Sequence, residues 1–210
     1  MKTWIVYCHP QLDSFTAAVR DAALSGLRHG GHDVRITDLY DEGFDPVFSA
    51  DDHANHLVDH LVDRQAGDHI DHGTASAPAT LISAHLANLR WCESLVLIYP
   101  TWWAGQPAML KGWIDRVFVN GVAWHLPPGA DRLQPLLSNI RAITAITTHG
   151  SSKLINAIEG EAGKRTVTRT LRALCNRRCR TRWIALYGID RSSAANRSAF
   201  LRRVTQQLAR

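Results

Sequence analysis

The feature that most constrains this chain is the alternation of short β-rich runs with stretches of helical spacing. Residues 3–8 (TWIVYC), 32–39 (HDVRITDL), 95–99 (LVLIY), 140–147 (IRAITAIT) and 182–187 (RWIALY) read as strands. In the second of these, Val34 and Ile36 fall on one face. Between the runs lie helical patterns: one capped by Asp13 or Ser14 and closed at Gly30-Gly31, then 81–92, a stretch opened by Pro107, 163–174 and 194–208. Such alternation predicts a parallel sheet covered by helices on both faces. Right-handed crossovers then favour the strand order 2-1-3-4-5. A chain of 210 residues fits a single domain over 1–210, with a core of its own.

In an open sheet of that order, ligands bind at the carboxyl ends of the strands. Three loops should converge there: 9–16, 100–106 and 147–152. The first carries no GxGxxG and no GxxxxGK[ST], so neither a Rossmann site nor a P-loop is supported. It does set Ser14 and Thr16 at a helix N-terminus, a seat for phosphate. The second holds Trp102 and Trp103, large aromatics that in a turn need something flat or apolar to cover. In the helix that follows, Met109, Leu110, Trp113, Ile114 and Val117 recur at inward-facing spacing, and Lys111 and Asp115 form an i, i+4 surface pair. The third loop is small and hydroxyl-bearing. Phosphate seat, apolar slab and polar edge together suit a phosphorylated planar heterocycle.

No run approaches the ~20 apolar residues of a membrane span, and MKTWIVYCHP turns polar too early for a signal peptide. The expected location is the cytoplasm. Cys8, Cys92, Cys175 and Cys179 show no metal or redox spacing and read as structural or incidental thiols. The net charge of +5 comes largely from arginines after position 164. An excess of that kind attracts nucleic acid or an anionic cofactor, but with no nucleic-acid motif beside it the simpler reading is a solvated basic surface. His53, His56 and His60 share one face of a short amphipathic pattern, with His69 and His72 following. Without matched carboxylates or thiols they read as solvated rather than as metal ligands.

YPTWWAGQPAMLKGWIDRVF resembles the signature of the flavin-dependent NAD(P)H:quinone oxidoreductases with a flavodoxin-like fold. HPQLDSFTAA resembles that family's phosphate loop, and TTHGS its Thr-Thr-Gly-Gly turn. The resemblance covers roughly residues 3–150. It implies that His9, Ser14, Phe15 and Thr16 surround the flavin phosphates or ribityl chain. It implies that Pro100, Thr101, Trp102, Trp103 and Gly105 hold the isoalloxazine, with backbone amides near its N5/O4 edge, and that Thr147, Thr148 and Gly150 meet its pyrimidine edge. The segment 122–124 corresponds to one that crosses a two-fold dimer, which would set Trp124 beside the partner's site. Thr16 stands in place of an asparagine and His149 in place of a glycine. The family's tyrosine and histidine relay has no match, Ile155 and Glu161 lying in that neighbourhood. Trp103 and His149 are the catalytic candidates, with solvent an equal candidate for the proton.

The implied activity is ping-pong hydride transfer from NADH or NADPH to a quinone-like acceptor through one apolar slot. FAD comes first as cofactor, because the 40–80 excursion offers cover for an adenine, with FMN close behind. The same site suits an azo- or nitro-reductase. Two rivals of other classes are a flavin-binding regulatory subunit of a membrane transporter and a basic nucleic-acid-binding protein with a vestigial pocket.

Overall fold

In the computed structural model, residues 1–50, 52–53 and 77–210 are described. The histidine face at His56 and His60, and the loop with His69 and His72, lie outside them, as does most of the excursion expected to cover an adenine.

Five parallel strands form the main sheet: β1 (Lys2–Tyr7), β2 (Asp33–Asp38), β3 (Ser94–Pro100), β6 (Ala142–His149) and β7 (Arg180–Tyr187). Their order is β2-β1-β3-β6-β7. A separate two-stranded hairpin, β4 (Trp124–His125) and β5 (Gln134–Pro135), interrupts the count. The five sheet strands taken alone therefore follow the expected order 2-1-3-4-5. The hairpin is a correction to the irregular excursion expected after Leu126, and β6 begins and ends two residues later than the run 140–147 suggested.

Strand residues divide by parity between two cores, as a parallel sheet covered on both sides requires. Trp4, Val6, Leu95, Leu97, Tyr99, Ile143 and Ala145 face one core. It is closed by α2 (Ala77–Trp91), α3 (Ala108–Val117) and a helical segment of mixed geometry after Ala162. Ile5, Tyr7, Val96, Ile98, Ile146 and Ile184 face the other, under α1 (Phe15–His29) and α6 (Ala194–Leu208). On the edge strand β2 the expected apolar face is only half realised: Ile36 is exposed, while Thr37 is buried and accepts the Trp4 indole N–H at 3.1 Å.

Helix starts follow their side chains. Ser14 caps α1, its hydroxyl accepting from the Ala17 amide at 3.1 Å. Pro107 occupies the cap position of α3, one residue earlier than the first-turn place expected of it. The expected 163–174 helix is a short α-turn, α5 (Ala162–Arg165), that widens into π geometry over Thr166–Leu171. The hydroxyls of Thr166 and Thr168 bond back to the carbonyls of Ala162 and Lys164, competing with the i, i−4 ladder there. A short helix absent from the sequence reading, α4 (Lys153–Ile158), follows β6 and is capped by Ser152.

Candidate active site

The parallel register brings the three loops to one edge. Tyr99 pairs with Thr147 and Pro100 with Thr148, while His149 pairs with Tyr187 on the next strand. The Thr101 amide donates to the Thr148 carbonyl at 2.8 Å, so the aromatic loop is tied to the hydroxyl loop at its root.

The aromatic loop then turns sharply. Trp102 and Gly105 exchange both backbone hydrogen bonds, at 3.2 and 3.0 Å, with Trp103 at φ 49° and Ala104 at φ 58° between them. This is a two-residue turn of the I′ kind, which glycine and asparagine normally fill. Side chains in that region cost about 1–2 kcal/mol per residue. The turn is braced from outside: the Gly163 amide donates to the Ala104 carbonyl at 3.0 Å, and Gln106 Nε2 donates to the Gly163 carbonyl at 2.9 Å. A Cβ on Gly163 would stand 3.2 Å from the Gly105 Cα, so a glycine is what lets the brace approach. Held this way, Trp103 is fully exposed (101%) and Trp102 is 43% exposed.

Behind the turn lies a buried polar chain. Asn156 Nδ2 donates to the Ser152 carbonyl at 2.8 Å, which leaves its Oδ1 to accept from His149 Nδ1–H at 2.7 Å. The free lone pair on His149 Nε2 then faces the Thr101 hydroxyl at 3.4 Å, and Thr101 in turn lies 2.8 Å from the Thr147 hydroxyl. The imidazole stacks on Tyr187 at 4.5 Å. Burial lowers the His149 pKa, against smaller raising effects from Asn156 and the Glu161 carboxylate, so the ring stays neutral. Glu161 is itself paired with Lys164 at 2.8 Å.

The expected site residues thus divide into two groups. Trp102, Trp103 and Gly150 are exposed, and His9, Thr101 and Gly105 are partly so. Pro100, Thr147, Thr148, His149 and Thr16 are buried supports. His9 Nδ1 accepts from the Gln11 amide at 3.0 Å and its ring lies 6.5 Å from that of Trp102. Phe15 is turned to α6, 6.2 Å from Phe200. The amides of Thr101, Trp102 and Gly105 are committed to backbone partners, so only those of Trp103 and Ala104 in this turn have no acceptor among the described residues. Trp124 donates its indole N–H to the Phe118 carbonyl of its own chain at 2.9 Å and packs on the core. Asn156, Tyr187 and Gly163 were missed from sequence. Tyr187 was accessible in principle, because it ends the fifth strand at the binding edge; Asn156 sits in a helix with too little periodicity to be recognised.

Thr101, Ala104, His149, Asn156 and Tyr187 line a cavity of only about 10 Å³, room for about one water. That cavity is too small for a planar ring; the open face beside the tryptophans has the room, with the amides of the α1 N-terminus suited to a phosphate and the exposed indoles to cover. The residues present fit a flavin mononucleotide unit in these respects.

A parallel sheet covered on both faces, in the order β2-β1-β3-β6-β7, defines a doubly wound α/β protein. The chain belongs to the family described as having a flavodoxin-like fold, which matches residues 1–208. It is 30% identical over 159 residues to NAD(P)H dehydrogenase [quinone] 1 of Cavia porcellus, covering 75% of this chain and 57% of that one. It is 28% identical over 156 residues to the ribosyldihydronicotinamide dehydrogenase-like protein traD of Penicillium crustosum, covering 71% and 58%. The chain thus spans less than two thirds of the length of these curated relatives. Over the whole chain its fold matches Smu.1420 from Streptococcus mutans UA159, with 27% identity, 99% of that chain covered and a TM-score of 0.78.

Proposed function

We propose that the protein is a flavin-dependent NAD(P)H oxidoreductase that passes two electrons to a quinone-like acceptor. The observation that carries this reading is the fully exposed Trp103, held by a strained and externally braced turn at the binding edge. A large indole fixed in that way serves as a wall for a flat ligand better than as a solvated side chain. The names of the curated relatives point the same way.

When bound, a flavin supplies the two-electron chemistry. The chain's own residues hold and orient it. The first-turn amides of α1, with Ser14 beside them and Thr16 buried behind, seat its phosphate, and Trp102, Trp103 and Gly105 face the ring. Gly150, exposed at the end of the third loop, meets its polar edge, with Thr147 and Thr148 buried behind as supports. Nicotinamide and acceptor use the same open face in turn, which is the ping-pong order. The reduced acceptor takes its protons from solvent there. His149, buried and neutral, acts as a positioning residue through Thr101. FAD is the first cofactor candidate and FMN the alternative. The four cysteines are unpaired, which accords with a reducing, cytoplasmic location.

The open face also supports a homodimer. Leu154 (70% exposed) and Ile158 (77%) share one stripe of α4, with Ile155 exposed beside it, and Asn156 of the same helix lines one small cavity with Ala104 of the aromatic turn. A second copy on this side would cover them and wall the slot.

Mass analysis of whatever heating releases from the purified protein distinguishes FAD from FMN. Anaerobic NADPH should bleach the yellow protein, and a quinone should restore the colour. Colourless protein that neither flavin reconstitutes would overturn the reading. An azo dye reduced faster than any quinone would move the acceptor but leave the site unchanged.

A further inference from the structure

We propose that the amino-terminal edge of the sheet carries a second binding site, for a compact oligophosphate. A cavity of about 560 Å³ opens there, lined by Arg141, Arg178, Arg180 and Arg182 together with His32 and Asn176, and among the described residues no aspartate or glutamate lines it. That volume lies within the range of small-molecule sites, about 300–1,000 Å³. The lining residues flank the starts of β3, β6 and β7, whereas the flavin site lies at their carboxyl ends. The eight residues of β6 put about 25 Å between them. The two sites are therefore distinct, and this proposal stands whether or not the flavin reading does.

The arginines are positioned by backbone rather than scattered. The Arg141 amide donates to the Glu93 carbonyl at 2.7 Å, and the Arg180 amide donates to the Arg141 carbonyl at 3.0 Å, so the start of β7, with Arg180 in register with Ala142, is tied to the residue that leads into β6. Asn176 fixes the turn that bears Arg178: its Nδ2 donates to the Ser138 carbonyl at 2.9 Å and its Oδ1 accepts the Arg178 amide at 3.0 Å. Arg182 has a structural task, donating to the Gln207 carbonyl near the end of α6 at 2.9 Å. The guanidinium groups of Arg141, Arg178 and Arg180 have no acceptor among the described residues.

Edge protection explains part of this pattern, since charged residues on β7 deter pairing with another sheet. It does not explain Arg141, which leads into the interior strand β6, or Arg178, which sits in a turn. Three unneutralised guanidinium groups around one concavity repel one another, and each presents a planar fork that matches phosphate oxygens. Several adjacent phosphates satisfy all three together; a single carboxylate does not. A neighbouring basin of about 900 Å³ shares Asn176 and Arg178 and adds Arg177, leaving room for the remainder of such a ligand.

Titration calorimetry of the full chain, as purified, with inorganic tripolyphosphate at near-physiological salt tests the proposal. The expected result is saturable binding of one equivalent per chain that excess FMN does not displace. Arg141→Gln with Arg180→Gln should weaken binding about tenfold or more, and Arg178→Gln alone should weaken it measurably. NADPH oxidation should be unchanged in all of them. Absence of saturable binding overturns the proposal, and so does displacement by FMN. An equal loss in the remote pair Arg169→Gln with Arg202→Gln would reduce the effect to net charge and overturn it as well. Binding of a short DNA duplex that is tighter than tripolyphosphate and sensitive to the same variants would replace it with a nucleic-acid surface.

Discussion

Trp103 and Ala104 sit side by side in left-handed backbone that neither residue favours. Ala104 adds only a methyl group, so its strain can be relieved without changing the wall. Replacing it by glycine should raise stability by about 0.5–1 kcal/mol, the relieved strain exceeding the added chain entropy. Thermal unfolding would show this as a rise of about 2 °C. Trp103→Ala should leave the unfolding midpoint nearly unchanged, because the side chain buries nothing in the free chain, yet weaken flavin retention or turnover. If both survive, the indole is not at the ring. His85 behaves differently, being buried at 2% exposure. Its Nδ1 accepts the Trp113 indole N–H at 3.2 Å, so a proton on Nδ1 would break that bond. Glu42 lies 3.2 Å from Nε2 but is not aligned to hydrogen-bond it, and burial prevails, pushing the imidazole down to about 4. The unfolded chain, with histidine near ~6.5, then binds the extra proton first. This contribution is fully present above pH ~6.5 and is lost as pH falls towards about 4. Glu42, raised by burial, acts in the opposite sense. Unfolding of His85→Gln should therefore show a shallower loss between pH 6.5 and 4 than the parent; equal slopes would contradict the assignment.

The helices were legible where their periodicity and caps agreed. Ser14, Gly30 and the 194–208 pattern mark α1 and α6 closely because local and tertiary preferences coincide there. Gly26 is a place where they conflict. Inside α1 an alanine would ordinarily gain about 0.5–1 kcal/mol. Here, however, a Cβ would meet the Thr205 carbonyl oxygen at 2.5 Å, where α1 crosses α6. Gly26→Ala should destabilise the fold by about 1–3 kcal/mol, readable as a lower denaturant midpoint with unchanged slope. No feature of α1's own sequence announces that contact. The π-widened segment after Arg165 is similar: TVTRT is legible as β-branched, but the register of its hydroxyl-to-carbonyl bonds appears only once the helix packs beneath Gly105.

At the scale of the molecule, the described residues form an aromatic wall and a polar edge on an open face. The exposed stripe of α4 is the surface a second copy would use. Leu154→Asp with Ile158→Asp should shift the protein to a monomer in sedimentation and reduce flavin retention, with the fold intact by circular dichroism. A dimer that persists in this variant would place the interface elsewhere. Trp124 is packed in its own chain, so in the proposed dimer only the accessible flank of its indole would be open to a partner.

From sequence alone came the alternation of strands and helices, the order of the five strands and the three loops at their carboxyl ends. All of these follow from patterns within a few residues of one another. Tertiary structure decided which candidates face solvent and which are buried braces, because that depends on register between strands far apart in the chain. It turned His149 inward against Asn156 and Tyr187, committed three expected amides to backbone, and brought Arg141 and Arg180 to one cavity at the far edge. Hydrophobic periodicity carries the first kind of information; contacts such as Gly163 with Ala104, made across 59 residues of chain, carry the second.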